Sequence, residues 1–345
     1  MPVADASDVV VGLDVGGTSV NATVLDVASG RFVVEAMCET PSRVLEGPDV
    51  AMAALRESLA GVLKTAGIDE QRVCSVGLGT PGPASADGVL SSQGSTNFSG
   101  SAWFGFDIRL AAEQALGKPV VYSNDGNAAA LYAHAVYFGP AAADKSSVSV
   151  VVGTGLGGGI ITGGRIVAGA SGMAGELGHV YIPLEGVLEP GQTIPVCNCG
   201  FIADAESVAS LTGIRQNLLP WWLSRYPSHP LAAMDPADAA RSLRGLAVDG
   251  DELALAIFRQ QATAIGRLLT ICMNVIDPDV SFVGGGVLEE AGAAFQERYL
   301  ADVRAGLTYR KQQSGELVVT AVPDLDMAGA RGAALAAQAA RQPAG

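Results

Sequence analysis

The chain has 345 residues, of which 49% are hydrophobic and 16% charged, and a net charge of −14 at pH 7. Its length predicts two domains, and the lack of a long polar block predicts that all of it folds. The acidic balance argues against nucleic acid as a partner, because phosphates attract a basic face. The N-terminus lacks signal-peptide features, and charges or glycines interrupt every apolar run before it reaches membrane-spanning length. We therefore expect a soluble cytoplasmic protein without a membrane partner, and its five cysteines fit a reducing compartment.

The chain begins with a meander of strands. The stretch DVVVGLDVGGTSVNATVLDVASGRFVVEAMCET predicts strand, Gly turn, strand, polar turn and strand. A helix over about 50–66 then precedes the buried strand VCSVGLGTPG. A second helix, over about 108–116, leads into the strand PVVYSND, and a helical pattern follows at 127–138.

The glycine-rich stretch VVGTGLGGGIITGGRIV repeats the theme of the N-terminus. It opens with Gly-x-Gly-x-x-Gly from Gly153 to Gly158, a pattern that joins a strand to a helix in dinucleotide-binding proteins. Here the residues that follow predict a second strand instead, because Gly163-Gly164 supplies a turn before 165–167. The stretch therefore predicts a β-hairpin. Its likeness to the first meander predicts two related α/β lobes with a cleft between them.

The C-terminal part alternates helix and strand. A long helical pattern over 251–276 stops at Asp277-Pro278. The strand VSFVGGGV follows, and a last helix is predicted over about 328–341.

Seven motifs together resemble those of the ROK family, the bacterial sugar kinases and sugar-responsive repressors of the actin-like ATPase superfamily. In chain order they are GLDVGGTSVNATVLD, GTPGP, NDGNAAAL, GTGLGGGI, AGELGH, CNCG and FVGGGV, and they span nearly the whole chain. The resemblance implies a two-lobed α/β actin-like ATPase (ribonuclease H-like) fold with the active site in the interlobe cleft. We expect residues 1–124 and 325–345 to form the small lobe and 125–324 the large one. The resemblance also implies a homo-oligomer, either a dimer or a tetramer.

Phosphoryl transfer needs a cradle for the nucleotide phosphates, a cation and a carboxylate that orients the attacking hydroxyl. The sequence contains no Gly-x-x-x-x-Gly-Lys-Ser/Thr, so the cradle is not a P-loop. Two hairpins can supply backbone N–H groups instead. The residues expected in them are Asp14, Gly16, Gly17 and Thr18 in the first and Thr154 and Gly155 in the second. Asp14 is expected to bind Mg²⁺ directly or through water. The alternative to a phosphate cradle is that both hairpins are purely structural turns.

The stretch SNDGNAAA places Asn124 and Asp125 where a strand ends and a helix begins, a usual position for functional groups in an open α/β sheet. Asp125 could simply cap that helix, since Asp is a favoured N-cap. The resemblance implies instead that Asp125 is the base that accepts the sugar hydroxyl proton, with Asn124 among the substrate-binding residues.

The resemblance also assigns the sugar site. It implies that Glu176 binds sugar hydroxyls and that His179 both touches the sugar and ligates a structural zinc. Asn97 matches a further sugar-binding residue, although the family's Pro-Asn-Leu is written here as Thr96-Asn97-Phe98. After the buried strand in VSFVGGGV, Gly284-Gly285-Gly286 matches the turn beside the adenosine, with Gly285 and Gly286 as the binding residues and an ordinary strand-to-helix turn as the alternative.

The zinc motif departs from the family pattern. The family writes Cys-x-Cys-Gly-x-x-Gly-Cys-x-Glu, whereas this chain has Cys197 and Cys199 but places Ala203 and Asp204 where the second glycine and third cysteine stand. Zinc accepts carboxylate oxygen, so His179, Cys197, Cys199 and Asp204 form a candidate mixed-ligand site. Loss of the metal from this branch of the family is the alternative.

Together these motifs imply an ATP- and Mg²⁺-dependent kinase that phosphorylates a hydroxyl of a hexose or hexose-like substrate, with glucose as the default. A non-glucose sugar or a cyclitol is the first alternative. A non-catalytic sugar-sensing regulator is the second, and it is disfavoured because ROK repressors carry a helix-turn-helix domain where only about a dozen residues precede Asp14 here.

Overall fold

The computed structural model describes residues 8–33, 38–82, 84–91, 97–98, 100–289, 291–308, 318–323 and 327–341. Residues 34–37 of the predicted third strand, Pro83 of GTPGP and Thr96 lie outside this set. The strands are β1 Val9–Val15, β2 Ser19–Asp26, β3 Cys38–Pro41, β4 Val73–Thr80, β5 Val120–Asn124, β6 Ser147–Val152, β7 Leu156–Thr162, β8 Arg165–Ile166, β9 Val280–Gly284 and β10 Val319–Ala321. The α-helices are α1 Pro48–Ala66, α2 Ile108–Leu116, α3 Asp125–Phe138, α4 Ala205–Ala209, α5 Leu211–Gly213, α6 Leu219–Arg225, α7 Pro236–Val248, α8 Glu252–Ile276, α9 Ala293–Ala305 and α10 Ala328–Ala339.

The chain divides into two compact units. Unit 1 comprises Met1–Pro140, Ile166–Gly175 and Pro323–Gly345, and unit 2 comprises Ala141–Arg165 and Glu176–Val322. This division differs from the boundary expected at residue 124. The physical reason is that α3 packs on α10 so closely that a β-carbon on Gly332 would lie 1.7 Å from the carbonyl oxygen of Ala128, which keeps α3 in unit 1.

The two units contain sheets of the same strand order. The first runs β3-β2-β1-β4-β5 and the second, read from the other edge, runs β8-β7-β6-β9-β10. In each sheet an antiparallel hairpin, β1–β2 or β6–β7, is followed by two parallel strands. The predicted internal repeat and the mixed α/β fold class are therefore confirmed.

The glycine-rich stretch forms the predicted hairpin. Val152 of β6 pairs with Leu156 of β7, and the three residues between them make the turn. Gly158 lies within β7, where a dinucleotide-binding turn would begin a helix. The structure therefore rejects the dinucleotide-binding alternative, as the sequence did.

The helix boundaries follow local signals. Asp251 caps α8 by accepting the N–H of Ala254 at 2.8 Å, and α8 ends where Asp277 adopts a left-handed conformation with φ of 52° before Pro278. Among the described helices, none is both long and apolar enough to cross a lipid bilayer.

The core of unit 1 forms between its sheet and α1. Leu13 and Leu78 on the strands are fully buried, as are Leu55 and Leu59 one turn apart on α1. The central strands β1 and β4 are buried on both faces, which explains their near-continuous apolar runs. This packing holds β1 and β4 in place, and the candidate site lies at the carboxyl ends of these strands.

Candidate active site

The carboxyl ends of three parallel strands meet at one edge of the first sheet. Asp14 of β1 pairs in register with Gly79 of β4, and Thr80 of β4 pairs with Asn124 of β5. Asp125 follows directly as the first residue of α3. The fold of unit 1 therefore brings Asp14, Thr80, Asn124 and Asp125 to the edge where open α/β sheets place functional groups.

The start of α3 separates two roles that the sequence left open. The side-chain oxygen of Asn124 accepts the N–H groups of Gly126 at 2.9 Å and of Asn127 at 3.3 Å, so Asn124 is the N-cap. The interpretation of Asp125 as the N-cap is therefore wrong. Asp125 accepts the Gly126 N–H through Oδ1 at 2.7 Å.

Burial raises the pKa of both carboxyl groups at this edge. The pKa of Asp14 rises to about 7, chiefly because the group is desolvated and secondarily because the charge of Asp125 is near. Desolvation also raises the pKa of Asp125, against an opposing hydrogen bond from Gly126. Two desolvated carboxylates that repel each other offer oxygen ligands to a hard cation such as Mg²⁺, so these residues fit that ion.

The first hairpin is a tight turn. The N–H of Gly16 donates to the carbonyl oxygen of Ser19 at 2.8 Å. A β-carbon on Gly17 would lie 2.7 Å from Oδ1 of Asn97, so this glycine leaves room for the Asn97 side chain. The structure thus brings Asn97 against the hairpin that also contains Thr18.

The second hairpin is tied to the chain that follows α4. Within its turn, the N–H of Gly153 donates to the carbonyl oxygen of Gly155 at 3.0 Å. The N–H groups of Leu211 and Thr212 donate to the carbonyl oxygens of Gly153 and Thr154 at 2.9 and 3.2 Å. These bonds join the turn to the start of α5.

Glu206 on α4 supports the same hairpin. Its Oε2 accepts the N–H of Leu156 at 2.9 Å, and a β-carbon on Gly155 would lie 2.8 Å from that oxygen. Its Oε1 accepts the S–H of Cys197 at 3.3 Å. Glu206 therefore links the hairpin to the cysteine loop.

The turn after β9 lies against the second hairpin. Gly285 has φ of 89°, and a β-carbon there would lie 2.3 Å from the carbonyl oxygen of Val152, where β6 ends. Both facts require glycine. The Arg244 guanidinium on α7 donates to the carbonyl oxygen of Gly286 and so fixes the next residue.

A cavity of about 130 Å³ lies beside the second hairpin in unit 2. It is lined by Thr154, Leu211, Thr212, Arg215, Ala237, Ala240 and Arg241. Arg241 forms an exposed ion pair with Asp238 at 2.6 Å, a contact worth little in water. Two guanidinium groups and two hydroxyls beside a glycine-rich turn suit an anionic ligand.

Glu176 and His179 share one short turn of unit 2. Glu176 is the N-cap residue of a 3₁₀ turn over Leu177–His179, and its carbonyl oxygen accepts the His179 N–H at 3.2 Å. Glu176 itself has ψ of 59°, outside the 3₁₀ conformation. The two residues thus share one backbone turn, and the sugar-binding role of their side chains stays a prediction.

The cysteine loop assembles the four residues of the predicted zinc site. Nδ1 of His179 lies 3.1 Å from Oδ2 of Asp204 and 3.6 Å from Sγ of Cys199. The ligand atoms of these three residues and of Cys197 all lie within 4.8 Å of one another. Tetrahedral zinc, with bonds of about 2.0–2.3 Å, places its ligand atoms about 3.3–3.8 Å apart, so the cluster fits the ion after small adjustments.

Hydrogen bonds within the cluster set its protonation. The bond to Asp204 raises the pKa of His179 to about 9. Burial alone would raise the pKa of Asp204, but bonds from His179 and the Ser207 N–H outweigh it and hold that pKa low. Burial raises the pKa of the Cys197 thiol. A metal ion must therefore displace protons from His179 and Cys197. Because Nδ1 faces the cluster, Nε2 of His179 remains for another partner.

The model of the ROK family matches residues 10–340. The chain belongs to the ROK family. A ROK hexokinase structure from Thermus thermophilus is similar with 32% identity and a TM-score of 0.73, covering 96% of this chain and 98% of its own. A ROK family glucokinase from Streptomyces griseus, solved with glucose and AMPPNP, is 26% identical with a TM-score of 0.72 over 96% of this chain and 99% of its own. The N-acetylmannosamine kinase of Citrobacter koseri is 29% identical over 94% of this chain and 97% of its own length.

The departure from the ROK zinc motif has a local structural consequence. Ala203 has φ of 58°, in the left-handed region that favours glycine, and the ROK pattern has glycine at this position. A non-glycine residue there costs roughly 1–2 kcal/mol. The next residue, Asp204, is also the N-cap of α4, accepting the Ser207 N–H at 2.9 Å through Oδ1 while Oδ2 faces His179.

Three polar residues that lie beside the second hairpin were not predicted from the sequence. Glu206 is the last residue of the cysteine motif, so the motif itself contained the signal. Arg215 and Arg241 belong to no motif, and only the packing of unit 2 brings them beside Thr154.

Proposed function

We propose that this ROK protein transfers the γ-phosphoryl group of ATP to a hydroxyl of a hexose or a related sugar. Its family membership supports the reaction class. The observation that carries the assignment of the catalytic centre is that Asn124 caps α3, which leaves the carboxylate of Asp125 available at the carboxyl edge of the sheet. In a loose transition state the base chiefly orients the hydroxyl and accepts its proton.

Asp125 and Asp14 have different proposed roles at this edge of the sheet. Asp125 orients the sugar hydroxyl and accepts its proton through Oδ2, because Oδ1 is engaged by the Gly126 N–H. Asp14 is the residue that would hold Mg²⁺, directly or through water. The ion, when bound, neutralises charge on the phosphate oxygens.

The nucleotide is assigned to the two glycine-rich hairpins. We assign the backbone N–H groups of Gly17 and Thr18, and those of Thr154 and Gly155, to phosphate oxygens. Gly16 shapes the first turn, because its own N–H already donates to the carbonyl oxygen of Ser19. The cavity beside Thr154 supports this assignment, because its guanidinium groups complement phosphate charge that an acidic protein otherwise repels. Gly285 and Gly286 form the wall next to that hairpin and are assigned to the adenosine.

The sugar is assigned to Asn97 in unit 1 and to Glu176 and His179 in unit 2. Glu176 accepts hydrogen bonds from sugar hydroxyls, and His179 offers Nε2 while Nδ1 faces the cysteine loop. A structural zinc held by His179, Cys197, Cys199 and Asp204 would fix the orientation of that ring. Glucose stays the default substrate, and a non-glucose sugar or a cyclitol is the first alternative. The names of relatives span hexokinase, glucokinase and N-acetylmannosamine kinase.

The decisive experiment measures ADP release against a sugar panel. Glucose, mannose, fructose, N-acetylmannosamine, N-acetylglucosamine and a cyclitol are each compared with ATP and Mg²⁺ alone. We expect one sugar to raise ADP release at least 100-fold over the sugar-free rate, with a matching phosphorylated product by mass spectrometry. Tight sugar binding by calorimetry without ADP release from any sugar would refute the kinase assignment and favour a sugar-sensing regulator.

A further inference from the structure

Gly329, the second residue of α10, touches the side chain of Asp14. A β-carbon built on Gly329 would lie 2.2 Å from Oδ2, 2.5 Å from Cγ and 3.1 Å from Oδ1 of Asp14. Carbon atoms do not approach a carboxylate within 3 Å without displacing it. The carboxylate therefore occupies the space that any other residue at position 329 would need.

The backbone around this contact cannot easily give way. A β-carbon on Gly12 of β1 would lie 1.9 Å from the carbonyl oxygen of Ala330, and one on Gly77 of β4 would lie 1.9 Å from that of Ala333. The helix thus rests directly on the backbones of β1 and β4. The residues on both sides of Asp14 in β1 are fully or almost fully buried. The part free to move is the Asp14 carboxyl group, by rotation about its own side-chain bonds.

We infer that Gly329 is a positioning residue for Asp14. Because Gly329 has no β-carbon, it leaves the space that the Asp14 carboxylate needs to keep the orientation that serves the cation. The inference rests on the proposed role of Asp14 with Mg²⁺. A shift of about 1 Å in a catalytic group can cost about 100-fold in rate, so a single methyl group at this position is expected to impair the reaction.

The test compares Gly329→Ala with Gly61→Ala, a matched control on α1 where a β-carbon meets nothing within 4 Å. Both substitutions add helix propensity. We expect Gly329→Ala to lower kcat by 10- to 100-fold and to raise the Mg²⁺ concentration needed for half-maximal rate, while sugar affinity by calorimetry stays within twofold. Gly61→Ala should retain wild-type kinetics. Wild-type kinetics and Mg²⁺ dependence in Gly329→Ala would overturn the inference.

A double-mutant cycle with Asp14→Ala separates this inference from the proposed function. If Gly329 acts through Asp14, then Gly329→Ala lowers the urea midpoint in the wild-type background but not in the Asp14→Ala background, where the clashing atoms are gone. The urea midpoint does not depend on enzymatic activity. If the Gly329→Ala protein folds only when Asp14→Ala is also present, that result supports the inference too. Equal destabilisation in both backgrounds would overturn the inference. Retention of normal Mg²⁺-dependent turnover by Asp14→Ala would instead refute the proposed role of Asp14 itself.

Discussion

Replacing Asp125 by Asn tests the catalytic centre most directly. The substitution preserves size and one side-chain oxygen, so the hydrogen bond from the Gly126 N–H, now 2.7 Å, can persist. Asn124 rather than Asp125 caps α3, so the helix start is also preserved. What is lost is the negative charge and the oxygen left to accept the sugar hydroxyl proton.

The expected effect on rate is large and the effect on stability is small or favourable. General-base and positioning roles contribute about 10²- to 10⁴-fold, which equals about 2.7–5.4 kcal/mol of transition-state stabilisation. Because burial raises the pKa of Asp125 above 3.8, the charged form is disfavoured in the folded state. Removing the charge should therefore raise the urea midpoint at pH 8, and this gain should vanish as the pH falls below 3.8.

The assay combines ADP release under saturating sugar and ATP with calorimetric binding of each ligand. We expect kcat to fall by at least 100-fold while both dissociation constants stay within about threefold of wild type. Asp107→Asn is the matched control, because Asp107 begins α2 in the same unit as an N-cap and Asn serves equally well there. Near-normal turnover of Asp125→Asn, with the control unchanged, would refute the assignment of the base.

Three further predictions follow from the site. Asp14→Asn should abolish turnover yet stabilise the metal-free protein. The gain in urea midpoint should grow between about pH 4 and pH 7, because the pKa of Asp14 rises on folding from 3.8 to about 7. A gain independent of pH would contradict this. Elemental analysis should find about one zinc per chain, and Asp204→Cys should slow metal loss. Chelation should weaken sugar binding before it unfolds the protein. Far less than one zinc per chain, with sugar affinity unchanged by chelator, would show that this loop has lost the metal. Gly17→Ala should displace Asn97, now 2.7 Å from where the β-carbon would stand, and raise the sugar KM several-fold relative to Gly61→Ala; an unchanged KM would remove Asn97 from the sugar site.

The sequence predicted those elements whose pattern is local. The strands around Asp14 and the hairpin after Val152 were predictable because glycine turns separate short apolar runs. The end of α8 was predictable because Asp277 precedes a proline. The helices over 205–248 and α9 were not predicted. For α7 the signals were present, because Asp235 caps it before Pro236 and its buried residues Ala240, Leu243 and Ala247 recur at helical spacing.

The candidate site was predicted only in part. Asp125 and the cysteine loop stood out because motifs place rare residue types at fixed spacing. The sequence offered Asp125 as a possible cap of α3, whereas Asn124 is the observed cap. Asp and Asn are both favoured N-caps, so backbone geometry decides which residue serves.

The sequence by itself determined the repeated hairpins, the family resemblance and the residue types available for phosphoryl transfer. Tertiary structure alone decided which distant residues come together: Glu206 bonds to Leu156, Arg215 lines one cavity with Thr154, and Gly329 lies against Asp14. The physical reason is that each of these contacts depends on the packing of separate elements, whose register and distance no local pattern of residues encodes. A glycine such as Gly329 has no side chain to suggest a role, and its importance appears only when the neighbouring carboxylate is in place.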